Sequence, residues 1–462
     1  MQRFGLLAFA GAMSTVVLGT AANAADMPAK APVYRAPPVA TYDWNGFYLG
    51  AYYGAAVRHS DAHTNSFVGT VDNNAGGLTG GVTAGYNWQF NPNMLVGIEG
   101  DVGYLSSKHS FKDFNDPNIV GVKTSWGGTV RGRLGYVAGP SVIYATGGVA
   151  FVGVEDTFGG NLNLGAVPIV QSDTRTGWTA GGGIETKLSR NWSAKSEYLY
   201  VDAGDSSFSS RPLGGATVDT VTFHHQIHLL KTGFNYRFGG PVDPIPFMAA
   251  PFSSPDRWNG FYVGAFAGGG LSLTHVAGNF QNSLGETDIN DTGFTGGVQA
   301  GYNWIIGGRW LAGVEGDVGY LGINKSFGEW DDVNSPFNLT NTIIFSQKTD
   351  WYGTARGRFG VTTGPALFYG TAGAAWVRVR DGMANTTLGV SDIQSRTASG
   401  WTIGGGTEIA LDARWSAKLD FLYIDAGHNQ RTVTGNGGFP NGGNFADRFE
   451  VIRAGLSYKL GG

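Results

Sequence analysis

The sequence predicts an all-β chain folded as two tandem eight-stranded antiparallel transmembrane β-barrels. Three observations carry that prediction. An internal repeat spans nearly the whole chain, each repeat alternates apolar and charged residues with period two, and Gly, Asn, Asp, Arg or Lys interrupts every apolar run before about eighteen residues. A membrane would therefore be crossed by strands and not by helices.

At the N-terminus, Arg3 precedes an apolar stretch from Phe4 to Leu18, and Ala22-Asn23-Ala24 gives the small-x-small pattern of a cleavage site ahead of Ala25. Residues 1–24 are expected to be a secretory signal peptide, with Ala24 and Ala25 flanking the cut. Residues 25–43, with Pro28, Pro32, Pro37 and Pro38, form an extended periplasmic lead. Composition narrows the class further. The 76 Gly among 462 residues lack a three-residue period, and with 13% aromatics they point to β-structure. A net charge of −4 offers no basic field for a phosphate backbone, so no nucleic acid is expected as a partner. The absence of Cys excludes a disulfide framework, a lipid-modified Cys and thiolate metal sites.

The first repeat, residues 44–238, opens on Trp44-Asn45-Gly46-Phe47-Tyr48, which returns as Trp258-Asn259-Gly260-Phe261-Tyr262 at the start of the second, residues 258–462. Gly85-Tyr86-Asn87-Trp88 returns as Gly301-Tyr302-Asn303-Trp304. Glu99-Gly100-Asp101 returns as Glu315-Gly316-Asp317, and Arg131-Gly132-Arg133 as Arg356-Gly357-Arg358. Trp192-Ser193-Ala194-Lys195 has its counterpart in Trp415-Ser416-Ala417-Lys418, so the order is kept to the end. Between the repeats, the 19 residues from Gly239 to Arg257 carry five prolines and read as a linker.

Alternation places the strands of the first repeat near residues 44–57, 77–90, 94–105, 124–137, 141–154, 176–188, 192–201 and 226–238. Tight turns such as Asn91-Pro92-Asn93 and Ala138-Gly139-Pro140 alternate with polar loops of roughly sixteen to twenty residues, the pattern of an outer-membrane barrel. Segments such as Phe111 to Val122 and Gly382 to Arg396 are expected to be exposed loops, surfaces for host or small-molecule contact. Trp44, Tyr48, Trp88, Tyr104, Trp126, Tyr136, Trp178, Trp192, Tyr198 and Tyr200 fall toward strand ends, where aromatic girdles form.

Side-chain parity assigns the interior. Val96, Ile98, Val102 and Tyr104 share one face while Glu99 and Asp101 share the other, and Arg131 and Arg133 likewise oppose Val130 and Leu134. A lipid-facing Arg or Lys costs about 2–4 kcal/mol at mid-bilayer, so the charges must point inward. The expected lumen network is Glu99, Asp101, Arg131, Arg133, Glu185, Lys195 and Glu197 in the first barrel. Glu315, Asp317, Arg356, Arg358, Glu408, Lys418 and Asp420 are its counterparts in the second.

The set Trp44-Asn45-Gly46-Phe47-Tyr48-Leu49-Gly50, Gly85-Tyr86-Asn87-Trp88, Glu99-Gly100-Asp101, Arg131-Gly132-Arg133-Leu134-Gly135 and Tyr236-Arg237-Phe238 resembles the Omp25/Omp31 group of alphaproteobacterial outer-membrane proteins. The resemblance covers both repeats, whereas members of the group usually carry one barrel. It implies an exported protein of a Gram-negative outer membrane, with lipid and lipopolysaccharide as first partners. The barrel-assembly machinery and periplasmic chaperones would act during insertion. Barrels of this class end on an aromatic residue; here the second repeat closes Tyr458-Lys459-Leu460-Gly461-Gly462, and Phe238 is internal. Recognition by the assembly machinery is accordingly expected to be weak or to use an internal strand.

No phosphate loop, His-Glu-x-x-His or Gly-x-Ser-x-Gly elbow occurs, and neither an enzymatic activity nor a cofactor is expected. His224, His225 and His228 form the one His cluster and the one weak ligand site, to which the resemblance adds an association of some relatives with haemin. On a strand, His224 and His228 share a face and His225 takes the other. The expected function is structural, supporting the envelope and presenting loops. Two alternatives stand beside it: a porin-like channel in which sixteen strands close as one barrel, and a haemin-binding or adhesin-type surface protein.

Overall fold

A computed structural model describes residues 42–64, 70–112, 119–159, 168–210, 219–239, 255–280, 283–330, 342–362, 364–385, 389–434 and 440–461. Ala24 and Ala25 lie outside these residues. The first repeat contains β1 (Gly46–Thr64), a short β2 (Thr70–Asp72), β3 (Ala75–Asn91), β4 (Met94–Lys112), β5 (Ile119–Ala138), β6 (Ser141–Gly159), β7 (Ile169–Lys187), β8 (Trp192–Ser210) and β9 (Asp219–Arg237). The second contains β10 (Gly260–Phe280), β11 (Ser283–Ile306), β12 (Trp310–Leu321), β13 (Asn324–Trp330), β14 (Thr342–Thr362), β15 (Ala366–Asn385), β16 (Val390–Ala410), β17 (Trp415–Thr434) and β18 (Pro440–Leu460).

Each repeat closes on itself. In the first, β1 pairs antiparallel with β3 on one edge and with β9 on the other, from Tyr48 opposite Arg237 to Thr64 opposite Val221. In the second, β10 pairs with β11 and with β18, beginning at Phe261 opposite Leu460. Apart from β2, and with β12 and β13 as two segments of one strand paired to β14, each ring has eight strands. Both edges of each opening strand are thus occupied. The alternative of one sixteen-stranded barrel is overturned, because each sheet closes on its own opening strand and, among the described residues, no strand of one repeat pairs with a strand of the other.

The strands are longer than hydrophobicity foretells. β4 continues to Lys112 and β5 begins at Ile119, while β15 runs to Asn385 and β16 begins at Val390. The described residues 111–112 and 119–122 of one expected loop segment, and 382–385 and 390–396 of the other, are therefore paired strand. The reason is that ladder pairing satisfies backbone groups whatever the side chains are, so strands extend past the apolar band with polar residues on both faces.

Burial alternates in the sense opposite to a water-soluble sheet. Along β12, Val314 and Val318 on the outer face are 51% and 52% exposed, while Glu315 and Asp317 on the inner face are 3% and 7% exposed. The outer rims carry Trp88, Tyr104, Tyr136, Trp178 and Trp192, all exposed. Two aromatics assigned to the girdle by position turn inward instead. Trp44 is buried with Leu95, Val137, Val142 and Tyr144 at the short-turn end, and Tyr48 lies in the lumen. Their parity on β1 and its lead, and not their nearness to a strand end, decides this.

Gly54 and Gly268, each ten residues after its repeat's opening tryptophan, sit on the closing seams. A Cβ on Gly54 would lie 1.8 Å from the carbonyl oxygen of Leu230, and one on Gly268 would lie 1.9 Å from that of Ile452. The two closures depend on this close approach of backbone to backbone. Gly54→Val and Gly268→Val are each expected to impair closure of one barrel, read as loss of the heat-dependent gel shift of the folded protein. An unaltered shift in both variants would show that the seams tolerate a side chain.

Candidate functional site: the ion networks of the two lumens

Glu99 on β4 is the hub of the first lumen. Its carboxylate accepts from Tyr48 Oη at 2.6 Å, Arg131 Nη2 at 2.6 Å and Lys195 Nζ at 2.7 Å, with Arg133 ion-paired at 3.5 Å. Arg131 also donates to Asp101 at 2.8 Å and to Glu197 at 2.9 Å, and Arg133 donates to Glu185 at 2.8 Å while lying over the Tyr144 ring. Register explains the meeting, since Glu99 stands opposite Arg131 on β5, and Glu185 opposite Lys195 on β8.

The second lumen repeats the plan. Glu315 accepts from Tyr262 Oη at 2.7 Å, from Arg356 and Arg358, and from Lys418 at 2.9 Å. Arg358 donates to Glu408 at 2.9 Å, and Arg356 pairs with Asp317. Lys418 lies 3.5 Å from Asp420.

Two cations of these networks escaped the sequence reading. Lys231 on β9 donates to Asp101 at 2.9 Å, and its counterpart Arg453 on β18 binds Asp317 at 3.0 Å and Asp420 at 2.7 Å. Both stand five residues before the closing tyrosines, Tyr236 and Tyr458, and on the inner parity, the signal that would have found them. With them each network balances: Glu99, Asp101, Glu185 and Glu197 face Arg131, Arg133, Lys195 and Lys231, and Glu315, Asp317, Glu408 and Asp420 face Arg356, Arg358, Lys418 and Arg453. Glu99, Asp101 and Glu197 bring carboxylate oxygens within 4.8 Å of one another, a spacing a metal could use. The Arg131 guanidinium bonds to all three and supplies the cation itself. A void beside Tyr52, Asp101 and Lys231 measures about 20 Å³, room for about one water.

Above the networks the two barrels diverge. Arg58 and Ser272 occupy equivalent positions, each fourteen residues after the opening tryptophan, and His225 and Asp447 do so eleven before the closing tyrosine. In the first barrel Arg58 is buried on Ser60 and the Asn73 carbonyl, while His225 lies 3.0 Å from Ser60 Oγ and 3.3 Å from Asp156. In the second, Asp447 accepts from Gln347 at 2.9 Å and from Arg396 at 2.6 Å, with Asp381 nearby at 3.7 Å from Arg396. The three histidines are not gathered on one site: His224 turns outward beside Asp205 at 2.6 Å, and His228 lies 2.8 Å from Tyr198 Oη.

Asp381 stands past Trp376, where outer positions change to Arg378 and Arg380, and so lies beyond the membrane-spanning part of β15. Burial, with the Asp447 carboxylate beside it, pushes Asp381 up to about 7 against the pull of Arg396. A carboxyl whose folded value is raised holds a proton that the unfolded chain releases, so stability falls as pH rises toward 7. Asp381→Asn is expected to flatten that fall, read as urea midpoints of the second barrel in lipid vesicles between pH 5 and 8. An equal slope in both proteins would contradict it. For the hub, Glu315→Gln takes one carboxylate partner from each of three buried cations and should cost about 3–5 kcal/mol by the same unfolding measurement. A loss below about 1 kcal/mol, the scale of an exposed pair, would remove Glu315 from that role.

Residues 16–238 and 245–459 both match the outer membrane protein beta-barrel domain family. The 31 kDa outer-membrane immunogenic protein of Brucella melitensis is 34% identical over 48% of this chain and 95% of its own length. The 25 kDa outer-membrane immunogenic protein of the same organism is 33% identical over 46% of this chain and 85% of its own. Among solved structures, Ail of Yersinia pestis aligns with a TM-score of 0.23 at 14% identity, covering 41% of this chain and 99% of that one. Neisserial surface protein A aligns at 0.23 and 16% identity, covering 42% and 97%. The chain therefore belongs to the outer membrane protein beta-barrel domain family, within its Omp25/Omp31 group, and is an outer-membrane protein carrying that domain twice.

Proposed function

We propose that the protein is a structural, non-conducting component of the outer membrane: two plugged barrels that reinforce the envelope and present their strand-borne outer ends to the surroundings. The observation that carries this reading is the lumen itself, closed by eight strands and filled by a charge-balanced network. An aqueous pore needs unpaired polar walls and continuous room. Here each carboxylate of the networks is bound by at least one cation, which leaves none poised as a general base for hydrolysis.

The first partner in this reading is lipid. The outer band of apolar side chains suits acyl chains. Arg378 and Arg380, just past Trp376, and Lys348 on the neighbouring strand, offer cations where the phosphates of lipopolysaccharide would lie. Contact with host or small molecules falls to the same outer ends. Planar-bilayer recording of the purified protein tests the reading: silence or rare small openings is the expected result. Steady conductance of porin size would overturn it.

A further inference from the structure

Four outward-facing side chains depart from the exposed pattern of their strands. Val57 and Leu230 are 6% exposed where Tyr53 on the same strand as Val57 is 65% exposed, and Leu271 and Ile452 are 1% and 8% exposed where Phe261 is 61% exposed. The four form one apolar cluster, with Tyr198 and Phe421 packed against it. Two belong to the seam of the first barrel and two to the seam of the second.

The positions correspond. Val57 and Leu271 each stand thirteen residues after their opening tryptophan, and Leu230 and Ile452 each stand six before their closing tyrosine. Tyr198 and Phe421 each follow Trp192 or Trp415 by six. Asn74 and Asn290, each five before the threonine of the Thr-Gly-Gly-Val block, exchange bonds: Asn74 Nδ2 donates to the Asn290 carbonyl at 3.0 Å, and Asn290 Nδ2 to the Asn74 carbonyl at 2.8 Å. The same patch of each repeat thus meets itself, the signature of an isologous two-fold contact.

One further contact shows that the surfaces are fitted to each other. Glu450, on the outer face of β18, is half-buried with its carboxylate against Gly76 of the first barrel, where an added Cβ would lie 2.2 Å from a carboxylate oxygen. A carboxylate on the outward side of a membrane strand is poorly tolerated by lipid, and here the facing barrel covers it.

We propose that this seam patch is a barrel-to-barrel recognition surface, and that the protein works in the membrane as a tethered quasi-two-fold dimer of its own two barrels. The linker keeps the partner barrel at high effective concentration, so pairing runs within a chain and not between chains.

The chain has no Cys, so introduced thiols report cleanly. Asn74→Cys with Asn290→Cys, in the full-length protein carrying a protease site between Pro244 and Pro246, is treated in membranes with a short bis-maleimide and then cut. The expected product is one full-size band per chain, about tenfold above a control pair at Leu134 and Phe359, which lie exposed on outer faces. Gly76→Leu, outward and clear of both lumens, should return cross-linking to the control level while the heat-dependent gel shift shows both barrels folded. Control-level linkage in the parent pair, links formed only between chains, or full linkage in the Gly76→Leu protein would each overturn the proposal.

Discussion

The structure depends on one constraint: a charge carried by a membrane strand must be turned away from lipid and met by an opposite charge. Glu99 and Glu315 answer it, each drawing a tyrosine and several cations from strands far apart in sequence. A single network therefore ties four or more staves of each barrel across the lumen. Buried ion pairs are weak evidence for stability as such, because desolvation offsets much of their attraction. Their contribution here is to register: a strand shifted by one residue would send Glu99 and Asp101 into lipid and Ile98 and Val102 into the lumen. The network fixes which alignment of strands is tolerable.

Where the network stops, the two repeats are free to differ. The inner residues around the hubs correspond one for one, down to Tyr48 and Tyr262 at the same place. Higher up, the first barrel places the Arg58 guanidinium and the His225 imidazole where the second places the Ser272 hydroxyl and the Asp447 carboxyl group. Membrane thickness constrains the middle of each barrel, whereas the projecting ends answer only to water and to each other.

Much of this was legible in the chain. The repeated blocks gave the two barrels, and parity gave the inner carboxylates and guanidiniums, because period-two geometry is local and a charge facing lipid is costly. Lys231 and Arg453 were missed because neither has a second cation two residues away, the doublet that makes Arg131 and Arg133 conspicuous. The strand ends at Lys112 and Asn385 were missed for a different reason: outside the bilayer nothing forces a strand to look hydrophobic. Nor did the sequence show that Val57 and Leu271, ordinary outward residues by pattern, would be buried, since that burial comes from a surface in the other repeat.

The even strand number brings both ends of each barrel to the same side, with the Phe238 amide bonded back to the Phe47 carbonyl and Leu460 opposite Phe261. A barrel that returns its chain to where it entered can be strung like a bead. Joining a second copy required no rewiring of strands, since the first barrel's last strand ends on the side where its first begins, and the same arithmetic would admit a third.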